Sequence, residues 1–97
     1  MVISPLQRYI LRAGLTSRHA VPRSVCLGFY RGRTKVPRPK DQVDAVTKSI
    51  ERLITRGLVV GYGEKTAERL FITSIKITPA GRRLARASFG RQQKLHL

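Results

Sequence analysis

The fold is decided by the stretch Val46-Thr-Lys-Ser-Ile-Glu-Arg-Leu-Ile-Thr-Arg-Gly-Leu-Val59. With the residues just before it, this stretch repeats apolar side chains at the spacing of one helix face, at Val43, Val46, Ile50 and Leu53. Asp41 stands where an N-cap is expected, and Gly57 where a left-handed residue commonly ends a helix. The pattern therefore predicts an amphipathic helix over residues 41–56, with Leu58 packing back onto it.

Two helices are predicted upstream of this stretch. Ser4-Pro5-Leu6-Gln7 has the residue types of a capping box with proline at the first helical position, and Gly14 is a natural stop for the helix that follows. Leu6, Tyr9, Ile10 and Ala13 form its apolar stripe. A shorter second helix is expected to open at Pro22 and to end near Gly32.

Downstream, the pattern changes to strands and then returns to a helix. Residues 58–60 and 70–77 are rich in β-branched residues, and the polar segment 64–69 separates them, which predicts a β-hairpin. We assign the Gly61-Tyr62-Gly63 segment to the turn of this hairpin. Thr78 and Pro79 then predict the start of a last helix, with Leu84, Ala85 and Phe89 facing inward and Arg82, Arg83 and Arg86 facing outward.

Two motifs in this order resemble a known family. Residues 46–59 resemble the recognition helix and its exit in winged helix-turn-helix regulators of the MarR-like type. Ile75-Lys-Ile-Thr-Pro-Ala-Gly-Arg-Arg-Leu84 resembles the segment that closes their wing. The resemblance covers about residues 43–88 and implies an α+β fold, a single winged-helix domain over residues 1–97, DNA binding and a role in transcription regulation.

The chain also departs from this family in ways that limit what the resemblance implies. MarR proteins are usually longer, with extra terminal helices that build their dimer, and those helices are absent or much reduced here. Their wing commonly has an Asp-x-Arg where this chain has Glu68-Arg69. The family's dimer and ligand response are therefore not expected of this chain. Residues 31–40 form an unusually long basic arm before the recognition helix, and residues 90–97 are expected to form a short basic tail.

Charge is the strongest compositional signal. The chain has 20 Lys and Arg against 5 Asp and Glu, a formal net charge of +15, and all five acids lie between residues 41 and 68. Such an excess indicates a polyanionic partner, and double-stranded DNA is the first candidate. The arm alone has five basic residues in ten, with Pro37 and Pro39 favouring an extended backbone.

The candidate DNA-binding residues belong to three segments. The helix over 41–56 is expected to enter the major groove, while the arm and the hairpin wing contact the backbone or the minor groove. The candidates are Arg31, Arg33, Lys35, Arg38 and Lys40 of the arm, Ala45, Lys48, Ser49, Arg52, Thr55 and Arg56 of the helix, and Lys65 and Arg69 of the wing.

Several classes of function find no support in the sequence. Cys26 lies in an apolar run and is expected to be a buried thiol, and with His19 and His96 it makes too few ligands for a zinc site. No nucleophile–base or paired-carboxylate arrangement is recognisable, so we expect no enzymatic activity, cofactor or metal. No apolar run reaches the length of a membrane span.

The location of the protein and two other functions stay open. We expect a cytoplasmic protein, associated with the nucleoid in a prokaryote, although nine basic residues and no acid in the first 40 are also typical of an organellar transit peptide. The alternatives to DNA are an RNA-binding winged helix of a ribonucleoprotein, with Tyr30 and Tyr62 as stacking candidates, and a protein-interaction winged helix. A homodimer through residues 84–97 is also plausible.

Overall fold

The computed structural model describes the backbone of residues 3–65, 67 and 70–95 and the side chains of residues 3–64, 67 and 71–88. This part of the chain has four α-helices and a three-stranded antiparallel sheet, which confirms the α+β class. The elements are α1 (Pro5–Thr16), β1 (Val21–Pro22), α2 (Arg23–Leu27), a 3-10 turn (Gly28–Tyr30), α3 (Pro39–Thr55), β2 (Val59–Lys65), β3 (Leu70–Ile77) and α4 (Pro79–Leu95).

Helix α1 begins as its sequence predicts and ends two residues later. The backbone N–H of Gln7 donates to Ser4 Oγ over 3.1 Å, and the N–H of Ser4 donates to Gln7 Oε1 over 3.2 Å, which completes the capping box. The helix continues through Gly14 to Thr16, so the predicted stop at Gly14 is wrong. A Cβ at Gly14 would lie 3.2 Å from the Cβ of Ile77, and the glycine therefore serves the close packing of α1 on β3.

The second helix is shorter than predicted. Pro22 lies in strand β1 rather than in the helix, where Val21 pairs with Ile75 and Pro22 with Ser74 of β3. Helix α2 spans Arg23–Leu27 and passes into the 3-10 turn at Gly28. The strand β1 was not predicted, since two residues are too few to show an alternating pattern.

Helix α3 begins earlier than predicted and ends where predicted. Its N-cap is Arg38, so Asp41 lies in the first turn, where the carboxylate Oδ2 is 3.6 Å from Arg38 Nε. The prediction of Asp41 as N-cap is therefore wrong, and Pro39 and Lys40 belong to the helix rather than to the arm. At the other end Gly57 has φ +73° and the N–H of Leu58 donates to the carbonyl of Leu53 over 2.9 Å, as the sequence predicted.

The hairpin has longer strands than predicted, and the turn assigned to Gly61-Tyr62-Gly63 is wrong. This segment lies inside β2, where the pairing with β3 is irregular between Tyr62 and Gly63. A Cβ at Gly63 would collide with the carbonyl of Phe71, so glycine is required there for the close approach of two strands.

Helix α4 starts as predicted and extends farther. Thr78 Oγ1 accepts from the N–H of Gly81 over 3.0 Å and donates to the carbonyl of Gly57 over 2.6 Å, so that one hydroxyl caps α4 and ties it to the end of α3. The helix runs to Leu95 and includes most of the segment 90–97 that was predicted as a tail. Ala85 is buried, Leu84 packs against the core, and the side chain of Phe89 lies outside the described residues.

The core lies between the helices and one face of the sheet. Its members are Leu6, Ile10, Leu11, Val21, Cys26, Val46, Ile50, Leu53, Leu58, Val59, Ile75, Ile77 and Ala85. Val43 was predicted to join them but is 40% exposed. Cys26 is fully buried, as predicted, and burial raises its pKa to about 11, which keeps the thiol protonated at neutral pH.

Candidate nucleic-acid interface

The outward side of α3 gathers four of the predicted site residues. Lys48, Arg52, Thr55 and Arg56 are exposed and, with Glu51, line one shallow surface depression. Their spacing of three and four residues places them on one side of the helix, opposite the apolar side chains of the core. We call Lys48, Arg52, Thr55 and Arg56 the α3 ridge. The Thr55 hydroxyl donates to the carbonyl of Glu51 over 3.0 Å, and its oxygen keeps accepting capacity toward solvent.

Two other predicted contact residues of this helix do not lie on the ridge. Ser49 is only 8% exposed and sits on the buried side, and Ala45 is half-buried and packs against the core. The physical reason is that α3 packs against α1, α2 and β2, so that its buried face is wider than its apolar residues alone indicate. Both residues are therefore removed from the candidate interface.

Two of the three acidic side chains of α3 lie toward strand β3. Asp44 and Glu51 line a groove of about 240 Å³ between α3 and β3, together with Phe71 and Arg23. The Arg23 guanidinium spans this groove at its base, because Nη1 donates to the carbonyl of Ile72 over 3.4 Å and Nη2 to that of Val43 over 3.2 Å. Arg23 was missed in the sequence, since its two partners are 20 and 49 residues away and leave no local signal.

The charge of α3 is balanced. Between Pro39 and Thr55, three basic residues (Lys40, Lys48, Arg52) face three acidic ones (Asp41, Asp44, Glu51), and the net charge of the helix is zero. The ridge has a net positive charge because Asp41 lies in the first turn and Asp44 in the groove, while Glu51 borders both the groove and the ridge.

The arm between the 3-10 turn and α3 is exposed along its whole length but attached near both ends. Arg33 Nε donates to the carbonyl of Phe29 over 2.7 Å, and its guanidinium carbon lies 4.0 Å from the centre of the Phe29 ring. At the other end Gln42 Nε2 donates to the carbonyl of Pro37 over 2.8 Å. Arg33 therefore fixes the base of the arm, while Arg31 and Lys35 are exposed there.

Phe29 also belongs to an aromatic cluster that the sequence did not indicate. Its ring meets those of Tyr9 and Tyr30 edge to face, with centroid distances of 5.6 and 5.2 Å. The cluster joins α1 to the 3-10 turn and supports the root of the arm. Tyr30 is thereby half-buried, whereas Tyr62 on β2 is 49% exposed.

The two predicted contact residues of the hairpin, Lys65 and Arg69, lie largely outside the described part of the structure. Lys65 ends strand β2, and its side chain lies outside the described residues, as does Arg69 altogether. Within the described residues, no three or more His, Cys, Asp and Glu side chains come together as a metal site. Over the same part of the chain, no helix is both long enough and apolar enough to cross a membrane.

Comparison with known proteins gives no further guidance on the site. No protein-family model matches the chain, and no curated protein is significantly similar to it in sequence. The geometry and the charges described above are therefore the basis for the functional proposal.

Proposed function

We propose that this protein is a winged helix-turn-helix domain that binds double-stranded DNA and regulates transcription, with α3 in the major groove. The observation that carries the proposal is the α3 ridge, an exposed row of long cations and a threonine on a well-anchored helix that is followed directly by a β-hairpin. The order helix, short helix, amphipathic helix, hairpin and helix supports the winged-helix part of the proposal.

The ridge has the chemistry that base recognition requires. The major groove of B-DNA is about 12 Å wide and admits an α-helix. An arginine such as Arg52 can donate two parallel hydrogen bonds to guanine, while Lys48 can reach a guanine acceptor or a phosphate. Thr55 can contact a base edge or a phosphate. The arm residues Arg31, Lys35 and Arg38 would then contact the phosphate backbone, which adds affinity without sequence preference.

Separate salt titrations on duplex DNA, duplex RNA and single-stranded RNA of matched length test the choice of nucleic acid. Tighter binding to duplex DNA with a steep salt dependence is the expected result. A preference for RNA would favour the ribonucleoprotein alternative.

A substitution tests base reading by α3 once a preferred DNA sequence has been selected. Arg52→Ala should weaken specific binding more than non-specific binding. Arg18→Ala, which removes an exposed cation outside α3 and the arm, should not change the ratio of specific to non-specific binding. Equal losses for Arg52→Ala on both kinds of DNA would contradict base reading by α3.

One observation favours the protein-interaction alternative. Val60 and Tyr62 alternate along β2 and are 43% and 49% exposed, so they place apolar surface on the outer side of the hairpin. If the protein binds all three nucleic acids weakly at physiological salt, this surface becomes the better candidate for its main contact.

A further inference from the structure

We propose that the protein has a second nucleic-acid-binding surface on the opposite side of the domain from the α3 ridge, formed by Arg8 and Arg12 of α1 and Arg83 and Arg86 of α4. We call these four residues the arginine face. All four are exposed, and Arg82 beside them is half-exposed. Binding at this surface goes beyond the proposed function and does not depend on base reading by α3.

The packing of the helices places the two surfaces on opposite sides. Helix α1 packs against α3, and both contribute their buried faces, with Ile10 and Leu11 on one side and Val46 and Leu53 on the other, to the same core. Arg8 and Arg12 lie on the side of α1 away from this core, as Lys48 and Arg52 do on α3. On each of the two helices, the cations therefore lie on the side away from the residues that form the shared core. A straight duplex on the α3 ridge would therefore not cover Arg8 and Arg12.

Helix α4 lies beside α1 on strand β3, since a Cβ at Gly14 of α1 and one at Gly81 of α4 would both lie close to Ile77. The two helices pack against each other, and Ala85 of α4 is buried while Arg83 and Arg86 are exposed. Along its full length α4 has five basic residues (Arg82, Arg83, Arg86, Arg91, Lys94), α1 has two (Arg8, Arg12), and neither helix has an acid. These two helices therefore hold seven positive charges, against a net charge of zero on α3.

Repulsion between the arginines destabilises these helices, and a bound polyanion would relieve it. Arg8 and Arg12 are four residues apart on one helix, as are Arg82 and Arg86, and like charges at this spacing destabilise a helix. Neither helix has an acid of its own. A row of phosphates would neutralise it and release counterions, which is the main source of affinity in non-specific binding to nucleic acids.

The residues between the arginines favour a nucleic acid over a membrane. Helices that bind membranes place large apolar or aromatic residues beside their cations. In the described part of the chain, the exposed large apolar side chains are Val25, Val36, Val43, Val60, Tyr62 and Phe71, and all of them lie outside α1 and α4. The exposed neighbours of the arginines are small or polar, such as Thr16 and Ala87. The surface thus suits a phosphate backbone, and one molecule can hold two duplexes at once.

A bridging assay tests this proposal with the full chain. A 30-bp duplex (about three helical turns) of random sequence is fixed to beads, and capture of a second, fluorescent duplex is measured over a salt series. The double variant Arg8→Gln/Arg83→Gln is compared with Arg18→Gln/Lys76→Gln, which removes the same charge from exposed positions outside both surfaces. Glutamine is a good helix former, and circular dichroism verifies that each variant is folded.

We expect the arginine-face variant to lose about tenfold in capture and to flatten the salt slope by about 1.8, the value for two phosphate contacts. The control variant should lose much less. Equal losses for the two variants would overturn the proposal, because the effect would then be one of net charge alone. Bridging that survives in the arginine-face variant would overturn it too, since a dimer binding one duplex per α3 would explain the capture.

Two further measurements test for other partners and separate this proposal from the proposed function. Tighter binding to phosphatidylglycerol vesicles than to a duplex, lost in the arginine-face variant, would show that the surface is for membranes and would overturn the proposal. Lys48→Gln/Arg52→Gln should abolish preference for a selected sequence, which Arg8→Gln/Arg83→Gln should leave intact. If no sequence preference exists, base reading by α3 fails, but the capture assay still tests the arginine face.

Discussion

Helix α3 and the pair α1–α4 use charge in contrasting ways. Helix α3 has as many acids as bases and places two of its three cations on one exposed ridge, whereas α1 and α4 hold cations alone. Affinity for a polyanion requires only positive charge, but recognition of a sequence requires that wrong contacts be unfavourable. Under the proposed function, the carboxylates of α3 would provide such a penalty, because a phosphate that approaches from the groove side would meet Asp44 and Glu51. Together the two proposals assign specificity to α3 and general affinity to α1 and α4.

The largest effect is expected from introducing an arginine on the buried side of α3, compared with introducing one on its exposed side. Ser49→Arg would place a charge against the core, and we expect a loss of about 3 kcal/mol or more in the free energy of unfolding. Thr55→Arg puts the same side chain on the ridge and should change stability by less than about 0.5 kcal/mol. Urea unfolding followed by circular dichroism measures both. Equal tolerance of arginine at the two positions would contradict the burial of Ser49.

Cys26 gives an independent readout for these variants. Its thiol is fully buried and its raised pKa keeps it protonated, so a thiol reagent at pH 8 should react slowly with the folded protein and fast after unfolding. The unfolded chain loses this proton at a lower pH than the folded one, so the cysteine lowers stability as pH rises from about 9 to about 11. The measurement is the rate of thiol modification with and without urea, and fast modification of the folded wild type would contradict the burial.

The next effect concerns the ridge. If Arg52 donates to guanine, Arg52→Ala should cost about 1–3 kcal/mol on a selected DNA sequence, and the preference at one base position should relax. Arg83→Ala removes a cation of the arginine face and should weaken selected and random sequences alike. Competition binding with single-base variants of the selected site separates the two patterns. A uniform loss for both substitutions would abolish the distinction between the ridge and the arginine face.

These comparisons depend on features that the sequence revealed to different degrees. The capping box of α1, the left-handed Gly57 and the cap at Thr78 are encoded within four residues each, and all three were predicted. The burial of Ser49 was not, because it depends on the tertiary packing of α3 and not on the local sequence. The position of Arg23 across the groove also depends on residues far along the chain. Local sequence signals predicted the contact residues of α3, and tertiary contacts determine which of these residues are accessible.

A smaller effect should follow from removing the acids beside the ridge. Asp44→Asn/Glu51→Gln changes the charge of α3 from zero to +2 and makes it more similar to α4. Under the proposed function, we expect affinity for random DNA to rise by about threefold at low salt, with a smaller gain on a selected sequence, so that specificity falls. Fluorescence anisotropy with the two duplexes measures this ratio. Each single variant, Asp44→Asn or Glu51→Gln, is also compared with Asp41→Asn, which removes the same charge from the first turn and not from the groove. A rise in specificity would contradict the role assigned to the two carboxylates.

The smallest effect is on the stability of the free protein, and its sign should differ between the two regions. Arg86 follows Arg82 by four residues and Arg83 by three, so Arg86→Gln relieves repulsion and should raise the free energy of unfolding by a few tenths of a kcal/mol, about 0.2–0.5 per pair. Lys48 has an acid four residues before it (Asp44), another three after it (Glu51) and one cation four after it (Arg52). Lys48→Gln therefore removes two attractions and one repulsion, and it should lower stability by about 0.2–0.5 kcal/mol. Both differences should vanish at about 1 M salt, where the screening length falls to about 3 Å. Urea titrations at low and high salt measure them. The same sign for both variants at low salt would mean that the cations of α3 are no better compensated than those of α4, and the division between a patterned and a uniform surface would no longer hold.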